Sequence, residues 1–389
     1  MTYHSGRHFL QLPGPTNTPE RVLRAMSKPT IDHRGPEFAE LTLRLLEGTR
    51  RLFKTEHDVF IHPASGSGAW EAAIVNTLSA GDRVVSFEQG FFAQTWARVA
   101  ERFGLDVVQV DWDPRIGVTA EAVLDQLEAD PSIKAVLVVH NETSTGVTSD
   151  IQSIGAAMGS SGHPAMFFVD AVSSLAVTDL QHDAWGIDVT VTGSQKGMML
   201  PPGLSLLAAS PRAMQAHASA TLPRSYWDWG DQKTFNERGF FPYTPATNLL
   251  FGMEEALAML EEEGMHRVFA RHDLFGRTTR AAVRSWGLEI VARNESEASR
   301  AATAVLVPEG HDADAVRRLI LERFDMSLGT GLGPFKGKAF RIGHIGDLNA
   351  LQLMGTLAGV EMGLQLADVP CGAGGVAAAM EILMKGDAV

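Results

Sequence analysis

Between residues 59 and 209 the chain repeats one pattern, a short apolar run followed by a stretch with helical spacing. The runs are 59–62, 82–87, 105–110, 133–139, 166–169, 187–191 and 204–209. Helical patterns at 71–78, 91–103, 119–127 and 151–158 separate the first five, with Thr119 placed to cap the third. Strands that alternate with helices predict an α/β fold with a mostly parallel sheet. In such sheets ligands bind at the carboxyl ends of the strands. Those ends are therefore the places to look for chemistry.

Two of them carry it. The run at 166–169 ends in Asp170, and the run at 187–191 leads through Gly193-Ser194-Gln195 to Lys196. Lys196 is followed by Gly197 and Met198 rather than by other charges. A lysine at a strand exit in such surroundings can be held with a lowered pKa, which suits Schiff-base formation. A solvated loop lysine explains the same local sequence. Asp170 lies 26 residues earlier, about one strand-to-strand unit. An acid that protonates a pyridine nitrogen and a lysine that holds its aldehyde fit that spacing.

The segment PASGSGAW at 63–70 opens a helical stretch. Small residues there let backbone N–H groups approach an anion, helped by the helix dipole. The spacing matches neither the GxxxxGK[ST] loop nor GxGxxG, and an ordinary tight loop reads the same way. The polar stretch HNETSTG at 140–146 follows another strand end. Residues 10–19, with three prolines and a glycine, predict no regular element but a rigid arm. A short helix is expected at 20–26, an amphipathic one at 38–53, and an irregular aromatic segment at 235–245. Long helices are expected at 246–262, a bridge between domains, and at 265–286. Strands at 302–307 and 339–342 and helices at 314–324, 351–366 and 376–383 predict a smaller α/β domain. The expected division is an arm at 1–20, a large domain at 21–262 and a small domain at 263–389.

A chain of 389 residues with 45% hydrophobic residues can build a sizeable core. Its net charge of −13 disfavours nonspecific nucleic-acid binding and anionic membrane surfaces. The single cysteine, Cys371, forms no intrachain disulfide and no metal cluster. No metal site is expected. The first ten residues lack the apolar run of a signal peptide, and no stretch is long enough to span a membrane. A cytoplasmic protein is the expectation.

Several segments together resemble the class V aminotransferases, pyridoxal phosphate enzymes of fold type I, especially the serine/alanine–glyoxylate group. They are PGPTN (13–17), SGSGAW (65–70), HNETSTGV (140–147), VDAVSS (169–174), TGSQK (192–196), FPYTP (241–245) and GLGPFKGKAFRIGHIG (331–346). The resemblance spans nearly the whole chain, and its wording is nearest the serine–glyoxylate branch. It implies Lys196 as the Schiff-base lysine and Asp170 as the partner of the pyridine nitrogen. It implies Ser67, Gly68, Ala69 and Gln195 at the phosphate, and Thr143 near the phenolic oxygen. Phe92 would cover the ring, where many relatives have tryptophan, and Val172 would pack on its other face. Arg341 would grip the substrate carboxylate as a bidentate pair. Pro13, Gly14 and Pro15 would line the entrance. Tyr243 and Thr244 would reach the phosphate in a neighbouring subunit, which implies a homodimer.

The implied reaction moves an amino group from a small amino acid to glyoxylate, giving glycine. Serine is the leading donor, yielding hydroxypyruvate, with aspartate (yielding oxaloacetate) and alanine as alternatives. His33, Arg34 and Arg271 are basic groups that could meet a second carboxylate or serve as structural residues. Tyr226, Trp227 and Trp229 could shape the donor pocket or pack at a dimer face. Desulfuration is disfavoured because Cys371 sits in a glycine-rich tail. A noncatalytic role is disfavoured by Lys196, Asp170 and Arg341 occurring together.

Overall fold

The computed structural model describes residues 6–386. The first five residues of the expected arm and the last three of the expected small domain lie outside them. The strands in chain order are β1 (Phe9–Gln11), β2 (Asp58–His62), β3 (Arg83–Phe87), β4 (Asp106–Val110) and β5 (Ile133–Val139). They continue with β6 (Asn141–Glu142), β7 (Val147–Thr148), β8 (Met166–Asp170), β9 (Val189–Gly193) and β10 (Ser205–Ala209). The last three are β11 (Ala302–Leu306), β12 (Met326–Thr330) and β13 (Ala339–Gly343).

Seven of these form the main sheet, in the order β2-β10-β9-β8-β5-β3-β4. The pairs from β9 to β4 are all parallel. Only β10 runs antiparallel, to β9 on one side and β2 on the other. Both faces are covered, which explains the unbroken apolar runs. Along β5, Val136 and Val138 enter one core with Phe38, Leu41 and Leu45 of the helix Pro36–Phe53. Ala135, Leu137 and Val139 enter the other, with Trp70, Ile74 and Trp96. Burying a side chain such as Phe168, wholly enclosed, contributes about 1.5–3 kcal/mol.

The helix Thr247–Glu263 lies against the helices Glu20–Met26 and Pro36–Phe53. Gly264, at φ +83°, turns the chain directly into the helix Met265–Ser285. That second helix packs on β11 and on the helices Ala350–Leu366 and Gly375–Lys385. A four-stranded sheet, β1-β12-β13-β11, completes this smaller unit around Phe340, Ile342, Leu328 and Val360.

Several elements differ from the sequence expectation. The arm contains a strand, because Phe9–Gln11 pairs in parallel with Met326–Leu328. That partner lies some three hundred residues away, so no local pattern announces it. The loop that begins at 140 forms a small hairpin, β6 with β7, around the turn at 143–146. Trp229–Asn236 is a helix capped by Asp228, whose carboxylate accepts the Asp231 N–H. The aromatic and proline content of that region conceals this cap. β10 is the antiparallel strand of the main sheet, which is mostly parallel as expected.

Candidate active site

β8 and β9 are neighbours, so their carboxyl ends bring Asp170 and the Lys196 loop to one place. The loop from β5 enters beside them, where the His140 N–H donates to the Asp170 carbonyl at 2.9 Å. A cavity of about 280 Å³ opens there. Lys196, Asp170, Phe92, Val172 and Ser67 are among its walls, as are Thr143, Gln195, Gly14 and Pro15.

Lys196 is buried, and its ammonium donates to the Pro13 carbonyl at 2.7 Å. Burial lowers its pKa to about 8; nearby Arg341 pushes the same way, against Asp170 and Glu142. Gly14 makes this approach feasible. Its φ is +134°, and a Cβ there would lie 2.5 Å from the lysine side chain. Asp170 accepts the Trp70 indole N–H at 2.9 Å and the Val172 N–H at 2.7 Å. Burial raises its carboxyl to about 7 despite those two donors.

Arg341 lies on β13, next to the cavity rather than in its wall. Its Nη1 donates to the Thr143 carbonyl at 3.0 Å and its Nε to the Thr330 carbonyl at 2.8 Å. Burial lowers its pKa to about 10. Pro13 joins the two cations: its carbonyl takes the lysine, and it packs with Arg341 around Gly329. The Thr143 hydroxyl donates to Ser173 Oγ at 2.6 Å.

Of the three loop residues that the resemblance puts at the phosphate, Ser67 is a wall of the cavity, and Gly68 and Ala69 are not. The cavity is walled by Ser65, Gly66 and Ser67. The Gly68 and Ala69 amides already donate to the Ser65 carbonyl, at 2.9 and 3.2 Å. Ser65 offers no side-chain cap to the helix Gly66–Thr77. Gly66 and Ser67 stand ahead of those bonded amides, at the start of the helix, where orphan N–H groups suit an anion.

Other residues fall elsewhere. Tyr243 and Thr244 line a separate small cavity with His62 and Tyr226. Tyr243 stacks on Tyr226 at 4.6 Å. Trp227 packs over Gly68, behind the phosphate loop. Arg34 donates to the Phe241 carbonyl at 2.9 Å, and its guanidinium lies over Phe235. Arg271 grips both oxygens of Glu263 and donates to the Gly346 carbonyl at 2.9 Å. His33 does not line the cavity.

Sequence reasoning assigned no role to Trp70, Asn141, Glu142 or Ser173. A tryptophan on a buried helix signals that its N–H needs a partner, and Asp170 is that partner. Two cavity-wall groups are buried without any hydrogen-bond partner, Asn141 Nδ2 and Gln195 Oε1. Such orphans mark a place shaped for a polar ligand.

The chain matches the family model Aminotransferase class-V over residues 8–332. The chain belongs to the class V aminotransferases. It is 46% identical to the serine–glyoxylate aminotransferase of Methylorubrum extorquens, covering 99% of this chain and 98% of that one. It is 44% identical to the L-aspartate–glyoxylate aminotransferase of Paracoccus denitrificans, over 95% and 94%. The ureidoglycine–glyoxylate aminotransferase structure from Bacillus subtilis superposes with a TM-score of 0.92 at 26% identity, covering 99% and 100%. This class V aminotransferase has the fold-type I architecture, and its cofactor is pyridoxal 5'-phosphate. The residues present fit that group: a buried lysine, a buried acid, a free helix start and unpaired amides around one cavity. Amino acids and 2-oxo acids are its substrates.

Proposed function

We propose that this aminotransferase transfers the amino group of L-serine to glyoxylate, giving hydroxypyruvate and glycine. The observation that carries the reading is a single buried arginine, Arg341, beside the lysine, which suits one carboxylate. Arg271 and Arg34 are both engaged by protein groups, and neither lines the cavity. Among the described residues of one chain, no arginine is a wall of that cavity, and Arg341 reaches its edge through the Thr143 carbonyl. A small donor with one carboxylate matches this arrangement. The serine–glyoxylate name of the Methylorubrum relative agrees with it.

When bound, pyridoxal 5'-phosphate supplies an aldehyde that captures the amine and a ring that accepts electrons from Cα. Lys196 Nζ would take the Cα proton of the substrate and hold it for return. With its pKa at about 8, a usable fraction is neutral near neutral pH. Asp170, fixed by Trp70 and Val172, would face the ring nitrogen and keep it protonated. Arg341 would hold the substrate carboxylate and so orient the Cα–H bond. The Gly66 and Ser67 amides, the Ser67 side chain and Gln195 would take the phosphate. The Thr143 hydroxyl would turn from Ser173 to the phenolic oxygen. Phe92 and Val172 would enclose the ring, and Pro13, Gly14 and Pro15 the entrance.

Tyr243 and Thr244 lie apart from the Lys196 cavity of their own chain, which agrees with a homodimer in which each chain completes the other's phosphate site. The working division is an arm at 1–20, a large domain at 21–262 and a small domain at 263–389, with β1 lending its edge to the small sheet. A cytoplasmic setting fits a chain with one unpaired cysteine. Among the described residues no helix is long and apolar enough to cross a membrane.

Aspartate is the second reading, because the Paracoccus relative carries that name at 44% identity. A half-reaction screen decides between them. The loaded protein is mixed with serine, alanine, aspartate or glutamate, the loss of the cofactor's visible band is followed, and the 2-oxo acid is identified. Fast hydroxypyruvate formation supports serine; fast oxaloacetate formation with slow serine turnover overturns it.

A further inference from the structure

We propose that Glu142 is the positioning residue that sets Phe92 and Arg341 in register across the cofactor cavity. Its carboxylate is fully buried. Oε2 accepts the N–H groups of Phe92 and Ala93, each at 3.0 Å. Oε1 accepts the Ser144 N–H at 3.0 Å and the Ser144 hydroxyl at 2.6 Å. That hydroxyl itself accepts the Phe91 N–H at 3.0 Å, so its proton is committed to Glu142. All four bonds run into the carboxylate, and it sits at the amino end of the helix Phe91–Arg102. Burial pushes its pKa upward, while the donors from Ser144, Ala93 and Phe92 favour the charged form.

A local cap would tie down this helix at less cost in desolvation. Here the N-cap is Gly90, which has no side chain to offer. A Cβ at Gly90 would lie 2.5 Å from Glu142 Cγ and 2.6 Å from Ser144 Oγ. The helix start is thus built to receive a side chain from another part of the chain. That part is the β6–β7 turn, whose next residue, Thr143, holds Arg341 through its carbonyl. One carboxylate therefore fixes the distance between the helix that carries Phe92 and the turn that anchors the arginine.

The same charge reaches the reacting groups. The ionisable groups acting with it are Lys196 after β9, Asp170 at the end of β8 and Arg341 on β13. Burial dominates the pKa of each, and Glu142 raises all three. Glu142 thus acts on the reaction through geometry and through the lysine's protonation. The inference rests on Arg341 receiving the substrate carboxylate.

The experiment compares Glu142→Gln with Glu142→Asp. Gln keeps the length but removes the charge and turns a donor toward the helix amides. Asp keeps the charge but is one methylene short of them. KM for serine and for glyoxylate, kcat, and the pH midpoint of Lys196 acylation in the cofactor-free protein are measured for each. Both variants are expected to raise both KM values about tenfold, the scale of a lost charge-assisted hydrogen bond. Only Gln is expected to move the acylation midpoint to lower pH. Folded variants with wild-type KM and midpoint overturn the proposal, as does a loss confined to thermal stability. If neither variant folds, Ser144→Ala removes one donor and is expected to raise KM about threefold, and an unchanged KM overturns the proposal. Arg341→Lys is run in parallel. If it leaves KM unchanged, the carboxylate reading fails, and the acylation midpoints alone then decide the role of Glu142.

Discussion

The cofactor cavity and the joint between the two units both bury charged and polar side chains, yet they treat them differently. At the joint the side chains of His272 and Arg271 find their partners within the protein. His272 donates from Nδ1 to the Val268 carbonyl at 2.7 Å and accepts the Gly346 N–H at Nε2, 3.1 Å away. Arg271, its neighbour, takes both oxygens of Glu263 and the Gly346 carbonyl. Two residues of one helix thereby clamp the loop that follows β13, the strand of Arg341. In the cavity Asn141 Nδ2 and Gln195 Oε1 have no partner, and Lys196 and Asp170 are held away from their ordinary pKa values. Closed networks specify a shape, whereas open ones wait for a ligand.

Breaking the open side has the largest effect. Lys196→Ala removes the proton carrier and is expected to slow transamination by about 10³-fold or more. A stopped-flow half-reaction measures this, and a rate near wild type would remove Lys196 from the mechanism. Asp170→Asn comes next. Its amide cannot accept from both Trp70 and Val172, and it brings no charge to the ring nitrogen. The loss in kcat is expected at about 10²–10³-fold, the scale of one aimed electrostatic group. Arg341→Lys keeps the charge but loses the planar fork. It is expected to raise KM for both substrates by roughly 10-fold, with a smaller change in kcat.

The smallest effect sharpens the comparison most, because the two regions respond to pH with opposite sign. For His272, burial lowers the pKa from 6.5 to about 3. In that window the unfolded chain holds a proton that the folded chain refuses, so stability rises with pH and is fully present above 6.5. For Asp170 in the cofactor-free protein, the pKa rises from 3.8 to about 7. There the folded chain keeps a proton that the unfolded chain releases, so stability falls as pH rises through the window. Thermal melts of the cofactor-free protein between pH 4 and 7 test this. His272→Gln should flatten the rising contribution and Asp170→Asn the falling one. Equal slopes in all three proteins would refute the contrast.

How far the sequence could be read follows from the range of the interactions involved. The alternation of apolar runs and helices was legible because periodicity is local, and 133–139 matches β5 at both ends. Lys196 and Asp170 were legible because each stands where such a run ends. The Thr119 cap was legible too, and its hydroxyl accepts the Ala122 N–H at 3.2 Å. Glu142 was not, since its importance depends on a helix start fifty residues earlier in the chain. For Arg271 and Arg34 the sequence left a substrate role and a structural role open, and only their partners show that they are engaged.

By itself, then, the sequence determined the α/β class, the strand ends that carry chemistry and, through its motifs, the family. Those are properties of neighbouring residues and of short words. The tertiary structure decided which strand end faces which. It pairs β1 with β12, brings the Pro13 carbonyl to Lys196, lines the cavity with Ser65, Gly66 and Ser67, and closes Glu142 onto the Phe92 helix. Each of these joins residues far apart in the chain. The energy that selects them comes from burying charges and amides that must find partners, which no local stretch of sequence contains.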